Sequence, residues 1–200
     1  MPSSSGKART RQTASRRDLV DGIVAAWRRE MPDLDRPEYE LARRATRLGV
    51  MMQDALAAQL SPWNLTRADY GVLNTLRSAG APYELRPSDL KVRLLLTSGG
   101  VSTVLKRLEQ MGLIEREQDV NDGRSSWVRL TDAGIETAGA VARAWSEAES
   151  HFFRAVPPEA IQAASDALRE VLVAAGDLEP PAPQKNKRRA GSSQKSLEAT

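Results

Sequence analysis

Cysteine is absent from the 200 residues, and the chain has a single histidine, His151. Without thiols the chain can form no disulfide and cannot sense oxidants through a thiol of its own. A structural zinc site needs Cys or His ligands, so we expect no metal and no other cofactor. The sequence also lacks a Gly-rich phosphate loop that ends in Lys-Ser or Lys-Thr. These absences make an enzyme the least favoured class of protein.

Long hydrophobic runs are also missing. No apolar run approaches the roughly 20 residues that a membrane-spanning helix needs. The basic N-terminus is not followed by the apolar core of a signal peptide. We therefore expect a cytoplasmic protein with no membrane partner.

Charge is distributed unevenly along the chain, whose net charge is +3. Residues 1–17 carry five cations and no acid, and residues 180–200 carry five cations and one acid, so the part between them is net −6. Within that part, residues 86–129 are net +2 and residues 132–179 are net −6. This separation is expected if one part of the protein faces phosphate groups. Simple solvation of helical surfaces is the alternative.

A helix is predicted from Thr97 or Ser98 to about Met111, because Gly112 is a residue that often ends helices. Thr97 and Ser98 both have a side-chain oxygen that can cap the first turn. Four apolar residues recur at the spacing of a single helix face: Val101, Val104, Leu105 and Leu108.

A β-hairpin is predicted directly after this helix. Leu113–Gln118 and Ser125–Leu130 have strand-like sequences, and residues 119–124 between them include Asp-Gly, a strong turn signal. Thr131 then suits the N-cap of another helix. A helix followed by a hairpin with an Arg at its tip is the layout of a winged helix–turn–helix. An ordinary amphipathic helix packed on a hairpin is the alternative.

The face opposite the apolar stripe carries small polar residues in its N-terminal half and two cations further on. Small side chains let a helix approach base edges in a major groove, and glycines allow close approach of the backbone. Cations such as Lys106 and Arg107 suit phosphate groups. The predicted DNA contacts of this helix are Ser98, Gly99, Gly100, Ser102, Thr103, Lys106 and Arg107.

The same stretch resembles the MarR family of transcription regulators, and the resemblance extends over roughly residues 17–176. It implies a mainly α-helical fold with a small β-hairpin wing, and a homodimer that binds double-stranded DNA. The matching segments are Ser88–Leu90, Leu108–Ile114, Asp122–Arg124, Val128–Thr131 and Gly134.

The wing of this family has the pattern Asp-x-Arg-Asp-x-Arg, from which the chain departs at one position. Asp119, Asp122 and Arg124 match the pattern, but Asn121 replaces its first Arg. We expect Asn121 and Arg124 to face DNA. Asp122 is expected to hold the structure of the wing, because a carboxylate would repel phosphate.

Shorter signals help to divide the chain. Thr66–Asp69 has the pattern of a capping box. Pro87 begins a predicted helix with Leu90, Leu94 and Leu95 directed inward. The predicted segments are a disordered basic arm at 1–16, N-terminal helices at 17–60, a winged helix–turn–helix at 61–131, C-terminal helices at 132–176 and a disordered basic tail at 177–200.

The N- and C-terminal helices have more apolar surface than a winged helix of about 70 residues can cover. The second of them is predicted to begin at Asp35–Glu38 and to reach about Leu60. A symmetric dimer would cover this surface, as the resemblance also implies. Packing of these helices within one chain is the alternative.

A small-molecule effector is a further expectation, because the sequence resembles the urate-responsive subgroup of the family. Trp27 and Arg116 match two positions of the urate site, whereas Gly71 and Val104 replace its Asp and Arg. The resemblance therefore implies a different anionic or aromatic effector, or none. The alternative role of Trp27 is that of a core aromatic residue.

Together these features predict a ligand-responsive repressor that binds a pseudo-palindromic operator as a homodimer. The alternative is a sequence-tolerant, architectural DNA-binding protein that uses its two basic tails.

Overall fold

Helix α1 (Leu19–Glu30) and most of helix α2 (Pro37–Ala57) form the first of two units in the computed structural model. The structure describes residues 17–34, 36–118 and 126–181. The boundary between the units falls within α2, between Met51 and Met52. A short 3₁₀ segment, Pro32–Leu34, follows α1. The predicted helix start at Asp35 lies outside the described residues.

In the first unit, Arg44 of α2 pairs with acidic residues at the start of α1. Asp18 caps α1 by accepting a hydrogen bond from the backbone N–H of Asp21, at 2.9 Å. The Arg44 guanidinium lies 2.8 Å from Asp18, 2.7 Å from Asp21 and 2.8 Å from Glu40. Its hydrogen bond to Asp18 lowers the pKa of that carboxyl. The first of the N-terminal helices predicted within residues 17–60 is thus present, and Asp18 fixes its first turn.

The second unit begins with the end of α2 and continues as a 3₁₀ helix over Ala58–Trp63. The sequence predicted helix to about Leu60, so the helical segment extends slightly further than expected. The helices that follow are α3 (Arg67–Ser78), α4 (Pro87–Leu94), α5 (Ser98–Gln110), α6 (Asp132–Phe153) and α7 (Pro158–Ala174).

Three antiparallel strands form a small sheet in the order β1–β3–β2, with β1 at Glu84–Leu85, β2 at Ile114–Gln118 and β3 at Ser126–Leu130. In the predicted hairpin, Ile114 pairs with Leu130 and Gln118 pairs with Ser126. Strand β1 was not predicted, because two residues are too few to show a period. The fold is mainly α-helical with a small β wing, as predicted.

The core of the second unit lies between α3, α4, α5, the sheet and α6. The apolar stripe of α5 is buried there, with Leu105 and Leu108 almost completely inaccessible. Leu90 of α4 is buried as predicted, but the prediction for Leu95 is wrong, because its side chain is 85% exposed. Leu95 ends α4 with a left-handed backbone (φ 52°), which turns the chain toward α5 and its side chain toward solvent.

The start of α6 packs closely against the start of β2. The hydroxyl of Thr131 donates to the carbonyl oxygen of Gly112 at 2.7 Å and accepts from the N–H of Gly134 at 3.0 Å. A Cβ atom on Gly134 would overlap the carbonyl oxygen of Leu113. This contact explains the Thr-x-x-Gly spacing after the wing.

Helix α7 differs from the other helices of the second unit because none of its residues is buried. Four of its apolar residues are well exposed: Ile161, Leu168, Val171 and Leu172. Across the three described ranges, no helix combines the length and apolar character needed to span a bilayer.

Candidate DNA-binding surface

The N-terminus of α5 is capped by Thr97, whose hydroxyl accepts a hydrogen bond from the N–H of Gly100 at 3.1 Å. The sequence allowed either Thr97 or Ser98 as the cap. Because Thr97 is the cap, Ser98 becomes the first residue of the helix, and its side chain is exposed.

One side of α5 presents the predicted polar residues to solvent. Ser98, Gly99, Ser102, Thr103 and Lys106 are exposed, whereas Gly100 is half-buried. A Cβ atom on Gly99 would meet nothing within 4 Å, so another molecule can approach the backbone there. The Thr103 hydroxyl donates to the carbonyl oxygen of Gly99 at 3.0 Å, which leaves its lone pairs able to accept. The predicted contact residues therefore share one surface, with the apolar stripe behind them.

Arg107 has contacts that the sequence did not predict. Its Nε lies 3.0 Å from a carboxylate oxygen of Asp69, and its Nη2 donates to the carbonyl oxygen of Asn64 at 2.6 Å. The Asp69 side chain is 1% exposed. The capping-box pattern at Thr66–Asp69 indicated the local role of this carboxylate, but nothing in the spacing linked it to a residue 38 positions away.

The wing places Arg116 on β2, where its Nε lies 3.6 Å from Glu109 of α5. The directly opposed pair Glu115 and Arg129 forms a salt bridge between β2 and β3. Asn121, Asp122 and Arg124 lie outside the described residues, so their expected roles at the wing tip stay predictions.

The two predicted effector residues belong to different units. Trp27 lies on α1 in the first unit, is 41% exposed and meets the ring of Tyr39 edge-on at 6.4 Å between centroids. Arg116 lies in the second unit. Their joint role in binding a ligand stays a prediction.

A cavity of about 550 Å³ lies within the second unit, between α3, α4, the turn that follows α4, and α6. One part of its wall is aromatic, because Tyr70 of α3 stacks on Trp145 of α6 with ring centroids 4.6 Å apart. Arg67 and Arg93 add positive charge, and Leu94, Leu95 and Leu96 complete most of the wall.

Two features of this cavity bear on ligand chemistry. Burial raises the pKa of Tyr70, and the charge of Glu149 acts in the same direction, so its phenol remains a hydrogen-bond donor at neutral pH. Gly71, which replaces the subgroup's Asp, also lines the wall, and a Cβ atom there would lie 3.2 Å from Leu94. Val104, which replaces the subgroup's Arg, is buried in the core.

Comparison with known proteins identifies the family. A model described as MarR family matches residues 63–125, from the end of the 3₁₀ helix before α3 to the wing. The HTH-type transcriptional regulator PecS of Dickeya dadantii (strain 3937) is 34% identical over 116 residues, which are 58% of this chain and 70% of that protein. The chain belongs to the MarR family.

Two solved structures share the fold of this MarR family member. AbsC, a MarR family transcriptional regulator from Streptomyces coelicolor, is 25% identical with a TM-score of 0.63, and the match covers 82% of this chain and 100% of AbsC. A mutant MarR from E. coli complexed with operator DNA is 23% identical with a TM-score of 0.61, covering 78% of this chain and 99% of that one.

Membership of the MarR family confirms the prediction of a DNA-binding transcriptional regulator with a winged helix–turn–helix. The similarity to PecS also fits the subgroup that the sequence analysis singled out within the family. The matched range contains α5 and both partners of Arg107, Asn64 and Asp69.

Proposed function

We propose that this MarR family regulator is a repressor that binds a pseudo-palindromic operator as a homodimer and releases it when an anionic aromatic effector binds. The observation that carries the proposal is the polar, exposed face at the start of α5, on a helix whose opposite face is buried. Such a helix can enter a major groove without disturbing its own core. Repression is the output expected of the family.

The roles of the surface residues follow from their chemistry. Ser98, Ser102 and Thr103 contact base edges or nearby phosphates, and Gly99 and Gly100 allow the backbone to approach the groove. Lys106 contacts phosphate. At the wing tip, Asn121 and Arg124 face the phosphate backbone or the adjacent minor groove, and Asp122 holds the turn.

The homodimer is supported by the apolar surface that the chain leaves exposed. Along α7, Ile161, Leu168, Val171 and Leu172 are 37–50% exposed. Leu41 and Leu48 of α2, in the first unit, are also exposed. Burial of apolar area contributes roughly 25 cal/mol per Å², so pairing of these helices with a second copy is strongly favoured. Residues 17–60 and 132–176 are therefore the proposed dimerisation segments on either side of the DNA-binding domain, 61–131.

The effector is proposed to bind the cavity between α3, α4 and α6. The stacked Tyr70–Trp145 pair suits a planar ring, and Arg67 and Arg93 suit an anionic group. The dimer has one arrangement that binds DNA and another with low affinity for DNA. A ligand that binds the second arrangement more tightly weakens operator binding. A coupling of about 1–3 kcal/mol would lower the affinity for the operator roughly 5–150-fold.

The proposal is tested by measuring the dissociation constants of the purified protein for DNA from its own upstream region and for a scrambled duplex. The salt concentration is varied over about 50–200 mM, a range in which pure phosphate binding falls by orders of magnitude. We expect tight binding to the upstream DNA that persists at high salt and excludes the scrambled duplex.

The architectural alternative predicts a different result with a variant that lacks residues 1–16 and 182–200. Under the repressor proposal this variant keeps its sequence preference. Loss of all DNA binding in the tailless variant, with equal affinity of the full chain for both duplexes, would refute the repressor proposal.

A further inference from the structure

We propose that Arg107 is a positioning residue that fixes the orientation of the recognition helix α5, and that it does not contact DNA phosphate. This inference rests on the proposed operator-binding function and concerns the same surface. Arg107 and Lys106 are adjacent cations on α5, yet the structure gives them different surroundings. Lys106 is exposed, and within the described ranges no ion pair involves it.

Two nitrogens of the Arg107 guanidinium donate hydrogen bonds. Nε donates to Oδ2 of Asp69 at 3.0 Å, and Nη2 donates to the carbonyl oxygen of Asn64 at 2.6 Å. These two bonds point to different segments of the chain, so they restrict rotation as well as distance. A planar fork of donors can satisfy both acceptors at once, whereas the single ammonium of a lysine cannot do so in the same geometry.

Asp69 is a fixed anchor for this contact. Its carboxylate is 1% exposed, and Oδ2 also accepts the backbone N–H of Thr66 at 2.8 Å in the capping box of α3. Oδ1 is buried and has no hydrogen-bond partner among the described residues. A buried carboxylate is costly unless a cation balances it, and Arg107 supplies that balance.

Asn64 is a fixed anchor as well. It ends the 3₁₀ segment after α2 with a left-handed backbone, and its N–H donates to the carbonyl oxygen of Ser61 at 3.0 Å. Arg107 therefore ties the C-terminal half of α5 to the junction between the end of α2 and the start of α3. Two charge-assisted hydrogen bonds to rigid acceptors add directional specificity to the apolar packing of the helix.

A phosphate contact and a positioning contact differ in two measurable properties. Loss of a phosphate contact weakens binding to all sequences. It also makes the slope of log binding constant against log salt concentration less steep by about one. Loss of a positioning contact misaligns the side chains that meet the bases. It therefore weakens operator binding more than non-specific binding and leaves the slope unchanged.

The experiment uses the full-length protein with the variants R107K, R107Q, D69N and K106Q. The operator is a duplex enriched from a random-sequence pool by the wild type, and the control is a scrambled duplex. Dissociation constants for both are measured over about 50–200 mM salt. Circular dichroism at the assay temperature establishes that each variant is folded.

We expect R107K, which keeps the positive charge, to lose at least tenfold in operator affinity with little change for the scrambled duplex and the same salt slope. D69N should have the same effects as R107K. The double variant R107K/D69N should bind the operator no more weakly than either single variant. K106Q should weaken binding to both duplexes and lower the slope by about one. Wild-type operator affinity in R107K together with a lower slope in R107Q would overturn the inference. So would folded variants with reduced thermal stability but unchanged specificity.

The same data distinguish failure of the inference from failure of the proposed function. If the wild type enriches no sequence, the operator-binding proposal fails. The salt slopes of R107Q and K106Q on non-specific duplex then still decide whether Arg107 contacts phosphate. An equal reduction of slope in both variants would overturn the positioning role in that case.

Discussion

Gly134 lies where the first turn of α6 meets the backbone at the start of the wing. A Cβ atom there would overlap the carbonyl oxygen of Leu113, which is backbone and cannot rotate away. We expect Gly134→Ala to destabilise the protein by about 1–3 kcal/mol, the usual cost of overpacking. Urea denaturation followed by circular dichroism measures this change in the free energy of unfolding.

Gly139→Ala is the matched control for Gly134→Ala, because Gly139 lies in the same helix. The nearest atom to its added Cβ would be Nη1 of Arg143 at 3.6 Å, an ordinary contact. Alanine is expected to stabilise α6 there by about 0.5–1 kcal/mol, since it loses less backbone freedom on folding than glycine. If the two substitutions have the same sign and size, the close approach at Gly134 does not determine stability.

At the residue scale, the sequence predicted contacts that are local and missed those that are distant. The caps Thr66 and Thr131 were predicted because their partners lie three residues away. The salt bridge between Arg107 and Asp69 could not be predicted, because burial of a carboxylate depends on how three segments pack. Leu95 was wrongly placed in the core because its spacing in α4 fits the apolar face, whereas its backbone has already left the helix.

Helices α3, α4 and α6 together line the cavity that is proposed to bind the effector. Urate and benzoate are suitable first probes, titrated by isothermal calorimetry, since each combines a planar ring with an anionic group. We expect the probe that binds to lose at least tenfold in affinity in the double variant R67Q/R93Q, because the cavity loses both cations.

Trp27→Phe is the control for the location of this site. It should leave the affinity of the probe unchanged, since Trp27 is not among the described residues that line the cavity. If Trp27→Phe or Arg116→Gln lowers the affinity for the probe and R67Q/R93Q does not, the result would favour the site predicted from the urate-responsive subgroup.

At the scale of elements, periodicity predicted the long helices well because the 3.6-residue repeat is a property of each helix alone. The apolar residues of α5 fall where the sequence placed them and are buried, whereas no residue of α7 is buried. The cavity had no sequence signal, because its wall combines residues from 67 to 145. The exposed polar residues at the start of α5 were predicted as a group, since a helix whose apolar face is known has only one other face.

The whole molecule is proposed to be a dimer, and α7 offers a clean test. We expect the double substitution Leu168→Glu and Leu172→Glu to give monomers, because four charges per dimer would have to be buried between the α7 faces. No residue of α7 is buried within the chain, so the winged domain should keep its fold. Light scattering coupled to gel filtration measures the mass, and circular dichroism checks the fold.

Glu170→Gln is the matched control, because Glu170 lies on α7 outside the apolar stripe and is exposed. It should leave the mass of the assembly unchanged. A monomeric wild type, or a dimer that survives both glutamates, would contradict the proposed arrangement.

The separation of α7 from the core also has a genetic consequence. If α7 pairs two chains as proposed, a chain with a damaged α5 could still pair. In a cell that also makes the wild type, it would then enter mixed dimers with only one functional recognition helix. Such an allele would be dominant. An allele that damages only α7 would instead be recessive, because its product could no longer pair with the wild type and interfere with it.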